Sequence, residues 1–198
     1  MKQMLTLVTC VVLTLFVGTA GAGESVSVGD AASDFTLEDT TGSDVSLSDF
    51  SGKVVVLEWL NPDCPFVQRH YKAGTMKQLA AEYGEKGVVW LSINSTHYMD
   101  AAANAKFKAD QELPYPILVD QSGEVGHLYG AATTPHMYII DGDGRLVYIG
   151  AIDDDPRGSK GTAHRTNYVD AALGEVLAGK PVTTAETKPY GCSVKYKK

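Results

Sequence analysis

Cysteine is scarce in this sequence, which contains Cys10, Cys64 and Cys192 in 198 residues. Three cysteines are too few for a scaffold held together by disulfides, and the length favours one domain with a sizeable core. Basic residues are also in the minority, with 17 Lys and Arg against 24 Asp and Glu, for a net charge of −7. This acidic balance argues against nucleic acid or an anionic membrane surface as a partner.

The longest apolar run lies at the N terminus and is short. Lys2 precedes the run from Met4 to Val17, and Ala20-Gly21-Ala22 has the A-x-A form of a cleavage site. We interpret residues 1–22 as a secretory signal peptide whose apolar run is too short for a confident membrane span. The mature protein is therefore expected to be exported, periplasmic or secreted, with no stable membrane association after cleavage. An uncleaved N-terminal anchor is the alternative.

Loss of Cys10 with the signal peptide leaves two cysteines, Cys64 and Cys192, in an oxidising compartment. Two cysteines can form one bridge, either structural or redox-active, or they can remain separate thiols. The sequence around Cys64 also lacks the second cysteine of a Cys-x-x-Cys motif, since Val67 stands at that position. A disulfide within such a motif is therefore excluded.

Strand and helix patterns alternate along the rest of the chain. Alternating apolar and polar residues around Thr41-Gly42 predict a β-hairpin within residues 33–50. The other predicted strands are 53–59, 87–93, 115–120 and a pair within 133–150, and the predicted helices are 65–83 with a kink at Gly74-Thr75, 100–111, 123–129 and 165–180. This order predicts an α/β domain over residues 23–179, with a mixed sheet covered by helices on both faces. Residues 180–198 are predicted to be a polar tail on the surface.

Cys64 lies where a buried strand runs into a helix. Pro65 suits the first helical position, so Cys64 is predicted to be the N-cap residue. The unpaired N–H groups and the positive end of the helix dipole there favour the thiolate, so the pKa should fall below the free value of about 8.5. Arg69 and His70 would add positive charge, while Asp63 would oppose them. The alternative is an unreactive buried cysteine at the end of a strand.

Four segments together resemble a known family. They are "SGKVVVLEW" (51–59), Cys64-Pro65, "TPHMYIID" (134–141) and "KPYGCSVKY" (188–196). These segments are similar to the redoxins of the alkyl hydroperoxide reductase and thiol-specific antioxidant (AhpC/TSA) family, and the resemblance covers residues 26–178. It implies a thioredoxin-like fold and thiol-dependent oxidoreductase activity. Peroxiredoxin-like antioxidant activity and thiol-disulfide exchange on exported proteins are the two reactions that it suggests.

The resemblance also implies a substrate groove beside Cys64. Thr134-Pro135 matches the cis-proline of the thioredoxin fold, which would exclude a helix and offer the Thr134 backbone to an extended thiol substrate. Pro65 and His136 are expected to line this groove; the alternative for His136 is an exposed residue at the start of a strand. Asn61 stands where typical peroxiredoxins carry Thr, and we expect it to orient a peroxide oxygen.

The chain departs from typical peroxiredoxins in two further ways. Leu57 replaces the proline that lies seven residues before their reactive cysteine, and Thr133 stands where some related redoxins carry a cysteine. These departures leave the oxidant open between a peroxide and a protein disulfide.

The resemblance to peroxiredoxins with C-terminal resolving cysteines makes Cys192 the expected partner of Cys64. It lies in a tail with little helix or strand pattern, preceded by Gly191, and we expect a mobile segment to deliver it. A static bridge and an unpaired thiol remain alternatives. No nucleotide or cofactor motif is present, so the electrons are expected from a thiol reductant, either a protein or a small thiol.

Two other classes of function remain open. Copper chaperones of the Sco type combine cysteines with a distant histidine. The alternative they suggest is a metal site at which Cys64, Cys192, His70 and His136 converge, although the Cys-x-x-x-Cys motif of that group is missing. The favoured interpretation predicts no metal site. A redox-inactive interaction module is the other possibility. The acidic stretch at 153–155 is interpreted as a solvated surface loop.

Overall fold

The computed structural model describes residues 26–161 and 164–198. The predicted signal peptide, residues 1–22, lies outside the described residues. Within the described part of the chain, no helix is long and apolar enough to cross a membrane.

The described elements follow the predicted alternation of strands and helices. The strands are β1 (Thr36–Glu38), β2 (Asp44–Ser46), β3 (Val55–Trp59), β4 (Val89–Asn94), β5 (Ile117–Val119), β6 (Thr133–Thr134), β7 (His136–Ile140), β8 (Leu146–Gly150) and β9 (Cys192–Ser193). The α-helices are α1 (Pro65–Lys72), α2 (Thr75–Gly84), α3 (Ala101–Asp110), α4 (Glu124–Leu128) and α5 (Tyr168–Leu177). The N-terminal hairpin is confirmed, because β1 and β2 pair antiparallel.

A five-stranded mixed sheet forms the centre of the fold, in the order β5-β4-β3-β7-β8. Strand β3 is parallel to β4 and antiparallel to β7, so it lies in the middle of the sheet. All five residues of β3 are buried, which explains its nearly continuous apolar sequence. The predicted mixed sheet of a thioredoxin-like fold is confirmed.

Both faces of the sheet are covered, by different kinds of element. Helices α1, α2 and α5 pack on one face, in an apolar cluster that also contains Cys64. Helix α4 covers part of the other face, together with the hairpin and the short 3₁₀ turn at Leu47–Phe50. The predicted helix cover on both faces is confirmed, with the hairpin completing the second face.

The predicted helix over residues 65–83 is two helices. Helix α1 ends at Lys72, and Gly74 takes a positive φ of 73° before α2 begins at Thr75. Glycine reaches this left-handed conformation without the clash that a side chain would cause. The predicted kink is therefore a complete break.

The C-terminal tail is fixed along the domain at three points, which differs from the mobile segment predicted. Near β8, the Ile149 N–H donates to Ala185 O at 3.0 Å, and the Thr187 N–H donates to Ile149 O at 3.1 Å. Further on, β9 pairs antiparallel with β6. At the end, the Tyr196 ring stacks on His127, with ring centroids 3.9 Å apart.

Glycines on the domain make room for two of these contacts. A Cβ on Gly150 would lie 2.6 Å from the Thr187 carbonyl oxygen. A Cβ on Gly126 would lie 2.7 Å from the Tyr196 ring, whose hydroxyl donates to Ala131 O at 2.7 Å. Real Cβ atoms essentially never approach other atoms within 3.0 Å, so both sites accept the tail because they lack a side chain.

Candidate active site

Cys64 lies at the turn between β3 and α1, as the sequence predicts. The Asn61 side-chain oxygen accepts a hydrogen bond from the Asp63 N–H at 2.8 Å, and Asn61 O accepts one from the Cys64 N–H at 2.9 Å. Cys64 has extended backbone angles and is the N-cap of α1, with Pro65 at the first helical position. Asn61 therefore shapes the turn that presents Cys64. Its side-chain oxygen is already engaged within this turn.

Thr134 and Pro135 lie beside Cys64, and their peptide bond is cis, as the resemblance implies. The Cys64 thiol donates a hydrogen bond to Thr134 O at 3.0 Å. Both side chains are almost fully buried, with an exposed fraction of 1% each. The structure thus brings residues 70 positions apart into direct contact at the predicted groove.

Cys192 reaches the same place from the tail. In the β6–β9 pair, Cys192 lies opposite Thr134 and Ser193 lies opposite Thr133. Cys192 also packs against the apolar cluster that contains Cys64. Both cysteines are free thiols in this structure. One threonine therefore contacts Cys64 through its carbonyl oxygen and pairs with Cys192 through its backbone.

Gly191 allows the tail to approach this closely. It has a φ of +149°, and a Cβ built there would lie 2.7 Å from the Thr134 carbonyl carbon and closer still to its oxygen. Thr134 is held in the core, so it has no room to move away. A side chain on Gly191 is therefore incompatible with the observed position of Cys192.

The two thiols have opposite acidities. Burial acts to raise the pKa of Cys64, but the neighbouring Cys192 thiol, the Val67 and Cys192 N–H groups and the Thr134 side chain outweigh it and lower this pKa below its ordinary value. The Thr134 hydroxyl itself has no hydrogen-bond partner among the described residues. Burial and the hydrogen bond to Cys64 raise the pKa of Cys192 to about 11. Cys64 is therefore the more acidic thiol of the pair.

The α1 N terminus contributes to this acidity without a capping hydrogen bond. The reduced Cys64 side chain makes no such bond to the helix. The Val67 N–H nevertheless lies near enough to the sulfur to favour a negative charge there. The thiol form donates instead to Thr134 O, and that hydrogen bond would be lost on ionisation.

His136 does not join the groove. It precedes Met137 in β7, and the side chain of Met137 packs in the cluster that contains Cys64. Because successive residues of a strand point to opposite faces, the His136 side chain lies on the other face. There its Nδ1 is 3.1 Å from the Tyr138 hydroxyl, and burial lowers its pKa to about 4.

A buried polar cluster beside α1 escaped the sequence analysis. The Tyr190 hydroxyl donates to Asp153, lies 3.0 Å from His70 Nε2, and accepts from the Arg69 guanidinium at 3.2 Å. Arg165 pairs with Asp153 at 3.3 Å. Asp153 and Asp155 are only 1% and 3% exposed, so the prediction of a solvated acidic loop is wrong. Tyr190 lies two residues before Cys192, so this cluster anchors the tail next to the site.

A buried carboxyl group was also missed. Glu58, on β3, is fully buried and accepts hydrogen bonds from Tyr71, Trp90 and Ser92 at 2.9–3.0 Å. Burial raises the pKa of this carboxyl above its ordinary value in spite of these bonds. One acidic residue within an apolar strand was the signal available in the sequence.

The residues proposed for a copper site do not form one. Among the described residues, no group of three or more His, Cys, Asp or Glu side chains is arranged to hold a metal ion. His70 is engaged with Tyr190, and His136 lies on the other face of the sheet from Cys64. The alternative of a Sco-type copper site is therefore wrong, because it requires Cys64, Cys192, His70 and His136 to converge.

Comparisons with known proteins show which family the chain belongs to. The chain matches the profile of the AhpC/TSA family over residues 28–149. The thiol-disulfide oxidoreductase ResA of Oceanobacillus iheyensis is 33% identical over 156 residues, which cover 72% of this chain and 74% of ResA.

Two solved structures extend the similarity to the fold. A hypothetical protein from Sinorhizobium meliloti has a TM-score of 0.79 at 30% identity, over 88% of this chain and 97% of that protein. A putative thiol:disulfide interchange protein DsbE from Chlorobium tepidum has a TM-score of 0.57 at 30% identity, over 63% and 85%. With its mixed sheet, Cys64 at a helix N terminus and cis Pro135, the chain belongs to the AhpC/TSA family of thioredoxin-fold oxidoreductases.

Proposed function

We propose that this protein is a two-cysteine thiol oxidoreductase in which Cys64 is the attacking thiolate and Cys192 of the same chain is its resolving partner. The observation that carries the proposal is the contact of both cysteines with Thr134. The Cys64 thiol donates to Thr134 O at 3.0 Å, and Cys192 pairs with Thr134 across the β6–β9 ladder. Directly opposed residues of antiparallel strands lie about 4.5–5.5 Å apart between Cα atoms, which leaves both sulfurs next to one carbonyl group.

A hydroperoxide is the oxidant that the site favours. Cys64 is only 1% exposed, so a small molecule can reach its sulfur more readily than a disulfide in a folded protein. The Cys64 thiolate attacks the nearer peroxide oxygen and becomes a sulfenic acid, and the leaving alkoxide or hydroxide takes up a proton. The Cys192 thiol then attacks the Cys64 sulfur and expels water, which forms the disulfide. Two thiols from a reductant return the two electrons.

Thiol-disulfide exchange is the second candidate, and the names of the relatives favour it. ResA and DsbE are named for exchange between thiols and disulfides. In that reaction the Cys64 thiolate attacks a disulfide sulfur of the substrate, and Cys192 then releases the reduced substrate from Cys64. Both candidates use the same two cysteines, and they differ only in the oxidant. Residues 1–22 suggest that either reaction occurs outside the cytoplasm.

The test is a thiol count and intact mass of the mature protein before and after one equivalent of hydrogen peroxide. We expect the wild type to lose both thiols to an intramolecular Cys64–Cys192 disulfide. A Cys192→Ser variant should stop at a Cys64 sulfenic acid, which dimedone captures, and a Cys64→Ser variant should not react. If the wild type keeps both thiols with peroxide and is oxidised by oxidised glutathione or a protein disulfide, the second candidate replaces the first. If none of these reagents oxidises the pair, the proposed function is wrong.

A further inference from the structure

Strand β6 is an edge of the kind on which an extended polypeptide can add through backbone hydrogen bonds, and the tail already fills it. The strand (Thr133–Thr134) pairs antiparallel with β9 (Cys192–Ser193). The Val194 N–H continues the pairing by donating to Ala132 O at 3.1 Å. The backbone groups beside Cys64 with which an external polypeptide would pair are therefore engaged within the chain.

The tail also closes over the group toward which the Cys64 thiol points. That thiol donates to Thr134 O at 3.0 Å. A Cβ built on Gly191 would lie 2.7 Å from the Thr134 carbonyl carbon, so the tail backbone runs against the same carbonyl group. Cys64 is 1% exposed under this cover. A disulfide within a polypeptide therefore has no room beside Cys64 unless the tail leaves, whereas a hydroperoxide needs only a small opening.

Contacts on both sides of β9 hold the tail in this position. Before β9, the Tyr190 hydroxyl donates to Asp153 and lies 3.0 Å from His70 Nε2. After β9, the His97 N–H donates to Lys195 O at 2.9 Å. These contacts belong to one continuous segment of the chain. A polypeptide that competes for β6 must therefore displace them together with the strand pairing.

We propose that the docked tail is the specificity-determining segment of this site: it admits small oxidants to Cys64 and excludes extended polypeptides by occupying the edge of β6. This inference rests on the proposed function, because it takes Cys64 as the attacking thiolate. It deepens that function by assigning the choice of oxidant to residues 190–196 of the tail. Release of the tail frees the β6 edge for an extended polypeptide that carries a disulfide.

The tail gives the two candidate reactions different requirements. Reduction of a hydroperoxide by Cys64 proceeds with the tail docked, and the docked tail holds Cys192 at Thr134 for the step that follows. Exchange with a protein disulfide requires the tail to leave first. Its rate is then reduced in proportion to the fraction of molecules in which the tail is released. The docked state therefore selects the hydroperoxide over the protein disulfide.

The experiment measures Cys64 alone, on the full mature chain with Cys192→Ser, in which the backbone pairing of β9 is kept. Two probes of equal charge carry a cysteine as a mixed disulfide with thionitrobenzoate: N-acetylcysteine amide, and a short β-forming peptide with blocked ends. The Cys64 thiolate attacks the cysteine sulfur of the probe, the disulfide bond breaks, and the coloured thionitrobenzoate leaves with the electron pair. The ratio of the two rate constants in concentrated guanidinium gives the preference of an unshielded thiol.

We expect the folded protein to prefer the small probe at least roughly tenfold more than the unfolded chain does, because the peptide reacts only with the fraction whose tail is released. Gly191→Ala, whose added Cβ pushes the tail away from Thr134, should bring the ratio close to that of the unfolded chain. Tyr190→Phe, which weakens one anchor of the tail, should move the ratio part of the way. Gly84→Ala is the control and should leave the ratio unchanged, since a Cβ there meets no atom within 4 Å.

A folded protein with the ratio of the unfolded chain would overturn this inference, and so would a preference for the small probe that persists in both tail variants. Either result would leave Cys64 standing as the attacking thiolate of the proposed function. If both probes react with the unfolded chain and neither reacts with the folded protein or its variants, Cys64 is not an accessible nucleophile. The inference and the proposed function would then both be wrong.

Discussion

The substitution Gly191→Ala is expected to separate Cys192 from Cys64 without unfolding the domain. The new Cβ would lie 2.7 Å from the Thr134 carbonyl carbon, and the alanine would have to keep a φ of +149°. Thr134 is 1% exposed and is hydrogen-bonded to Cys64, so the core side of the contact is fixed. The tail strand is the side that must move, because it is held on one edge by the two-residue pair with β6.

The size of the effect follows from two penalties. A residue other than glycine in a sparsely populated backbone region costs of order 1–3 kcal/mol. Forcing an extra methyl group into a close-packed contact costs about 1–3 kcal/mol. The tail can relieve part of both penalties by moving. We therefore expect the docked state of the tail to be destabilised by about 2–4 kcal/mol. At about 1.4 kcal/mol for each factor of ten, the effective concentration of Cys192 at Cys64 should fall roughly 30-fold to 1,000-fold.

The assay equilibrates the protein with mixtures of reduced and oxidised glutathione and measures the fraction that carries the Cys64–Cys192 disulfide. The effective concentration follows directly from the midpoint, and it does not depend on which oxidant the protein uses. Gly84→Ala is the matched control, since a Cβ there meets no atom within 4 Å. An unchanged midpoint in Gly191→Ala, with a normal unfolding curve, would refute the reasoning about the tail.

Three further predictions concern the tail, the buried histidines and the reactive thiol. Tyr190→Phe should lower the free energy of unfolding by about 1–3 kcal/mol in urea titrations, because its buried polar partners lose a hydrogen bond, whereas Phe in place of the exposed Tyr98 should change it little. His70 and His136 have pKa values lowered from 6.5 to about 4 by burial, so the unfolded chain binds more protons between these pH values and stability should fall as the pH drops, by up to roughly 3 kcal/mol each. Equal unfolding curves at about pH 7 and about pH 4.5 would contradict this. Replacing Cys192 by alanine should raise the pKa of Cys64, read from the pH dependence of its alkylation by iodoacetamide, because a hydrogen bond to the sulfur is lost; an unchanged midpoint would show that Cys192 does not stabilise the thiolate.

Local sequence patterns were enough to predict the central framework. The apolar run of β3 is buried on both faces, and such a run needs no partner to be recognised as a strand. Pro65 marks the start of α1 because its fixed φ suits the first helical turn, which makes Cys64 the N-cap. These features depend on residues within a few positions of each other, so they can be predicted from the sequence without knowledge of the fold.

The orientation of His136 was partly within reach of the sequence. Alternation along β7 puts His136 on the face of Tyr138 and Met137 on the opposite face. What the sequence lacked was which face carries Cys64, and that depends on how β7 pairs with β3. The burial of Asp153 was out of reach for a similar reason, since its partner Tyr190 lies in the tail.

The sequence by itself determined that Cys64 lies at the junction of a buried strand and a helix, and that Cys192 is the one other cysteine after residue 22. Only the tertiary structure decided where that cysteine goes. Apolar residues do not recur in the tail with the period of a helix or a strand. Its path is set instead by the space that Gly150, Gly126 and Gly191 leave for close contact and by partners far away in the chain. Such contacts form between surfaces that exist only after the sheet and helices have assembled, and no local pattern encodes them.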